Sequence, residues 1–150
     1  MDGSDLERVV RGGHEIFMLT NDRIAAVLAE HGLTYATAQA LWAIEPGKPP
    51  ASMKVMAERL FCNAPNLTFV AGQLAARGLV ERAVDPADRR SRVLVLTEEG
   101  VRVRAEVMRV TLEQSPFANL DRDQLATLLH LFGVALDAPA RETTEDAETR

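Results

Sequence analysis

The chain has 150 residues, of which 47% are apolar and 26% charged, enough for one globular domain with helical extensions. A lone cysteine, Cys62, excludes an intrachain disulfide and a cysteine-rich zinc site, and no apolar run nears the roughly 18 residues of a membrane span. The formal net charge of -5 hides a division. Residues 53–109 hold ten basic and seven acidic residues, while the remainder holds seven basic and fifteen acidic, so the middle of the chain can face a polyanion. The opening MDGSDLERVV lacks the basic and apolar regions of a secretory signal, and a reduced, cytoplasmic location without membrane attachment is expected.

Residues 5–30 carry Leu6, Val9, Val10, Ile16, Phe17, Ile24, Val27 and Leu28 at helical spacing, with a weak or bent point expected at Gly12-Gly13. Gly32 suits a helix stop, and Thr34 can cap a second helix reaching about Ile44. The prolines of EPGKPP then disfavour regular structure. Ser52 can cap a third helix, MKVMAERLF, with Val55, Met56 and Leu60 inward, and Asn63 can cap a fourth with Pro65 in its first turn. Leu67, Val70 and Leu74 form the fourth helix's buried stripe, and Arg77-Gly78 ends it. Two short helices this close have helix-turn-helix spacing. LVERAV and RVLVLT predict a hairpin around DPADRRS. A helix from about Glu98 to Gln114 follows, Pro116 breaks the chain, and Asp121 with Gln124 opens a last helix. The polar, acidic end is expected to be disordered. The predicted fold class is mainly α with a small β-hairpin (α+β): a winged helix-turn-helix flanked by terminal helices.

Two segments carry the chemistry. The fourth helix has no charged residue between Asn63 and Ala76, and opposite its stripe lie Asn66, Phe69 and Gln73, with Thr68 beside them. Asn and Gln can hydrogen-bond adenine in the major groove, and Thr or Phe can touch a thymine methyl. An uncharged amphipathic helix can equally well just pack. The hairpin tip gathers Arg89, Arg90 and Arg92, which repel one another unless an anion draws them out. Phosphate and a narrow minor groove are both such anions, although a solvated charged turn also accounts for the composition. Asp85 and Asp88 temper the repulsion and could pin an arginine.

With helix-turn-helix and hairpin joined, residues 52–100 resemble the DNA-binding lobe of the MarR family of bacterial transcription regulators. The resemblance rests on MAERLF, LAARGLVER and DPADRRSRVLVLTEEG, in which Asp88, Arg90, Leu96, Thr97 and Gly100 stand in family register. It extends weakly to LTYATAQALWAI and, in layout, to both terminal helices, about 130 residues in all. It implies a single domain over 1–140, with a winged lobe at about 34–97 and homodimerisation helices at about 5–30 and 98–137, followed by the acidic tail 141–150. It further implies double-stranded DNA as partner, a pseudo-palindromic operator, a repressor role and release by a small aromatic or phenolic effector. The DNA-binding candidates are Ser52, Lys54, Asn63, Asn66, Thr68, Phe69, Gln73, Asp88, Arg89, Arg90 and Arg92, with Arg90 entering the minor groove. The sequence departs from the family at Ala64, Pro65, Phe69 and Gly72, and Leu60-Phe61 stands where Leu-Gly is usual. That departure leaves open a winged helix that binds another protein instead of DNA.

His14, Phe17, Met18, Tyr35 and Trp42 are the effector-site candidates, although Phe17 and Trp42 at helical spacing also read as core. Cys62 in the turn reads as a small buried residue, with a thiol redox switch as its functional alternative. Three scattered histidines and one cysteine make no catalytic triad or metal spacing, and no Gly-rich phosphate loop is present. No enzyme activity and no cofactor are expected.

Overall fold

The structure, a computed structural model, describes residues 3–138. In order the elements are α1 (Gly3–Glu30), α2 (Tyr35–Ala43), α3 (Met53–Arg59), α4 (Ala64–Ala76), β1 (Val80–Val84), β2 (Arg92–Leu96), α5 (Glu98–Gln114), a 3₁₀ turn (Pro116–Asn119) and α6 (Arg122–Asp137). The tail expected over 141–150 lies outside the described residues. Two compact units meet in sequence between Pro116 and Phe117.

In the first unit, local chemistry sets the helix ends. Gly32 has φ +60, which turns the chain so that its N–H donates to the Ala29 carbonyl and the Leu33 N–H to the Leu28 carbonyl, at 3.0 and 2.8 Å. Gly78, at φ +69, closes α4 the same way on Ala75 and Leu74. Thr34 and Thr37 cap α2 reciprocally, and the Thr97 hydroxyl accepts from the Gly100 N–H to start α5. The hairpin pairs β1 with β2 in the register Val80–Leu96 to Val84–Arg92, and Ser52 bridges Val93 across the sheet edge. That bridge ties the wing to the first residue of the helix-turn-helix.

The core gathers Ile24, Leu28, Leu41, Met56, Leu67, Leu74, Leu94 and Val103 from every helix of this unit and from the wing. His31 Nε2 lies 3.1 Å from Glu106 Oε2, and Arg104 donates to the Trp42 carbonyl at 3.0 Å, so α5 is held to the ends of α1 and α2.

Three expectations are corrected. Helix α1 runs unbroken through Gly12 and Gly13: each costs roughly 1 kcal/mol against alanine, which a 28-residue helix with good formers on both sides absorbs. Of its apolar residues only Ile24, Val27 and Leu28 are buried. Leu6, Val9 and Val10 are exposed, and Phe17 is 46% exposed and therefore no core residue. Helical spacing defines a face but not what covers it. In α4 the stripe is centred on Leu67, Ala71 and Leu74, because Val70 sits at its margin and is only half-buried.

In the second unit, Asp121 and Gln124 cap α6 reciprocally at 2.9 Å each way, and Phe117 meets Phe132 edge-on at 6.0 Å. Leu129, Val134 and Leu136 of α6 are exposed.

Candidate nucleic-acid interface

The start of α4 is fixed by its cap: the Asn63 carboxamide oxygen accepts the Asn66 N–H at 2.9 Å, and Pro65 occupies a position where no N–H is needed. Leu67 and Leu74 anchor one side in the core. The other side presents Asn66, Thr68 and Phe69, all exposed, with Gln73 half-exposed at its edge. Phe69 leaves 68% of its surface in solvent. An amide-and-phenyl face standing free beside a buried leucine face has the composition for base edges and thymine methyls.

Some of the proposed contacts already hold the fold. The Ser52 hydroxyl accepts the Val55 N–H at 3.2 Å, and the Thr68 hydroxyl donates to the Ala64 carbonyl at 2.9 Å. Asn63 keeps its amide donors, since its oxygen alone serves the cap. Lys54, on α3, is exposed.

The wing is organised by its acids rather than by its arginines. Asp85 accepts the Ala87 N–H at 2.9 Å. Asp88 accepts the Arg90 N–H at 3.0 Å and the Ser91 hydroxyl at 3.1 Å. Backbone bonds from Ser91 to Asp88 and from Asp85 to Ser91 complete the loop. Neither carboxylate takes a guanidinium, so the expected pinning of an arginine gives way to two aspartates that shape the backbone. Among the described residues Arg89, Arg90 and Arg92 make no ion pair, and all three are exposed. By contrast Arg102 pairs with Glu99 and Glu106, and Arg109 with Glu113. Arg102 and Arg109 are thus neutralised on their own helix, while Arg89, Arg90 and Arg92 at the wing tip face no carboxylate.

Two contacts connect wing and helix. Arg82 on β1 donates to the Thr68 carbonyl at 3.2 Å, and its guanidinium lies over Gly72, where a Cβ would come within 3.7 Å of it. Arg82 was not singled out from the sequence, because nothing in a strand register announces that its side chain crosses to a helix. At the base of the wing, Gly100 packs so closely that a Cβ would overlap the Leu79 carbonyl. The Leu79 carbonyl also accepts the Thr97 N–H at 3.1 Å.

The turn holds a second feature. Phe61 closes α3 in the left-handed region at φ +51, the one residue other than glycine with positive φ among those described. Its N–H donates to Glu58 and that of Cys62 to Ala57, the same closure that Gly32 and Gly78 make. A bulky residue there costs roughly 1–2 kcal/mol, and Phe61 is 97% exposed. The Leu60-Phe61 substitution for Leu-Gly was visible in the sequence; its conformation was not.

Of the effector-site candidates, Phe17 and Tyr35 meet edge-on with centroids 5.4 Å apart. Tyr35 also lines a cleft of about 670 Å³ with Phe61, Cys62, Phe69 and Gln73. Partial burial raises the Tyr35 phenol above its ordinary pKa, which keeps it a hydrogen-bond donor. His14, Phe17, Met18 and Trp42 do not line this cleft. His14 and Met18 are exposed on α1, and the half-buried Trp42 offers its carbonyl to Arg104. Cys62 is half-buried between this cleft and a second of about 650 Å³ carrying Lys54, Arg82 and Arg92. Among the described residues no His/Cys/Asp/Glu cluster suits a metal, and no helix is long and apolar enough to cross a membrane.

This arrangement is similar to that of known proteins. Residues 31–91 match the family model described as MarR family. The chain is 24% identical over 103 residues, 69% of each chain, to the HTH-type transcriptional regulator SarZ of Staphylococcus haemolyticus (strain JCSC1435). Its fold is similar to that of CouR from Rhodococcus jostii RHA1 bound to p-coumaroyl-CoA, with TM-score 0.70 and 20% identity over 89% of this chain and 92% of that one. A mutant MarR from E. coli complexed with operator DNA is matched with TM-score 0.69 and 21% identity, over 91% of this chain and 99% of the other.

Proposed function

We propose that the protein, whose residues 31–91 match the MarR family model, is a cytoplasmic, homodimeric, sequence-specific DNA-binding repressor. In this reading α4 lies in the major groove, and Asn66, Phe69 and Gln73 meet base edges there. The wing carries Arg89 and Arg90 to the neighbouring minor groove and Arg92 to phosphate. The observation that carries the reading is the contrast in ion pairing: among the described residues Arg89, Arg90 and Arg92 face no carboxylate, whereas Arg102 and Arg109 of α5 are ion-paired on their own helix. The second chain of the dimer accounts for the uncovered apolar side chains of α1, among them Val9, Val10 and Met18, and of α6, among them Leu129 and Leu136. Two-fold symmetry then calls for an inverted repeat with half-sites one helical turn apart.

Effector release belongs to the same proposal. The cleft beneath Tyr35 borders Phe69 and Gln73, so an aromatic or phenolic molecule seated there competes with base contact. CouR, which shares the fold, is bound to p-coumaroyl-CoA, which supports small-molecule control as a property of this architecture.

Selection of the purified protein against a randomised duplex pool tests the reading. The expected result is enrichment of an inverted repeat spaced by one turn. Recovery of no motif by folded, dimeric protein contradicts it and favours a winged helix that binds protein through its exposed phenyl groups.

A further inference from the structure

We infer that Phe61, in the turn of the helix-turn-helix, is a DNA-contact residue that supplies an apolar anchor where α4 enters the groove; this rests on the DNA-binding reading above. The residue occupies a backbone position suited to glycine, at φ +51, and its side chain is 97% exposed. The strain of a phenyl-bearing residue in the left-handed region is therefore not offset by burial within the chain. Glycine fills the equivalent position at the ends of α1 and α4, where Gly32 and Gly78 make the same closure without strain. A side chain retained at such a site acts outside the chain.

Its surroundings identify the occupant. Phe61 stands as a ridge between the two clefts, two residues before the Asn63 cap. On one flank Lys54, Arg82 and Arg92 outnumber Glu58, and on the other Asn66, Phe69 and Gln73 stand with Arg59. A cationic flank on one side and an amide-bearing helix face on the other match a phosphate backbone beside base edges. The phenyl ring between them meets the deoxyribose and thymine-methyl surface that lines a groove edge. It also gives the uncharged helix affinity that does not depend on salt, because burying apolar surface releases no counterions.

The test measures stability and affinity together on Phe61→Gly and Phe61→Asn, the second keeping a side chain that tolerates positive φ. For both, the thermal midpoint is expected at or above that of the wild type, while affinity for the selected duplex falls about tenfold with an unchanged salt slope. Wild-type affinity in both variants, or a lowered thermal midpoint in Phe61→Gly, overturns the inference and leaves DNA binding standing. A wild-type protein that selects no duplex overturns the DNA-binding reading itself.

Discussion

The recognition helix and the wing are built on opposite plans. Helix α4 carries no charge, is anchored by Leu67, Ala71 and Leu74, and ties Thr68 and the Asn63 oxygen into its own backbone. The wing loop anchors nothing in the core. It gathers Arg89 and Arg90, with Arg92 at its edge, none of them facing a carboxylate, on a backbone that Asp85 and Asp88 hold in shape. The difference teaches that affinity and discrimination are divided in this lobe: the wing supplies charge, and the helix supplies shape and hydrogen-bonding pattern. Arg82, reaching from β1 to the Thr68 carbonyl, links the two and places one cation beside a helix that has none.

The comparison breaks most completely if the frame joining the two regions is lost. Gly100→Ala puts a methyl group into the Leu79 carbonyl, backbone against backbone, with no flexible side chain to yield. A loss of about 3 kcal/mol or more is expected in chemical denaturation, and near wild-type stability would mean the wing base is looser than its packing implies. Gln73→Ala sharpens the comparison from the helix side. Loss of about 1–3 kcal/mol per half-site on the preferred duplex, with relaxed preference at one base pair of each half-site, is expected; an equal loss on every sequence would assign Gln73 to the backbone instead. The smallest effect belongs to Asp88→Ala. It removes two hydrogen bonds from the loop and leaves the arginines in place, so affinity should fall by roughly 1 kcal/mol while the salt slope stays. A slope that changes with it would show that Asp88 tunes charge rather than shape.

How far this was legible in the sequence varies with the physics involved. Glu98–Gln114 emerged with the bounds of α5, and the hairpin within a residue at each end, since caps, glycines and β-branched runs are local signals. The pairing of Gln124 with Asp121 was equally local. What escaped depends on partners distant in sequence or on backbone geometry. Phe17 read as core because its spacing is helical, yet it meets Tyr35 at an exposed edge. The aspartates of the wing were read as charges, and they act as turn formers. Phe61 was noticed as a departure from Leu-Gly, but its positive φ follows only from how α3 closes. The 3₁₀ turn Pro116–Asn119 has no strong periodic signal in four residues.

The division of labour itself is tested most directly by salt titration of operator binding for wild type, Arg89→Ala/Arg90→Ala and Gln73→Ala. The account predicts that the wing double variant, which removes two charges from each protomer of the dimer, lowers the slope of log affinity against log salt by about 4 and keeps the preferred sequence. The helix variant should keep the slope and change the preference. An unchanged slope in the wing variant, or a slope lost in the helix variant, would contradict it.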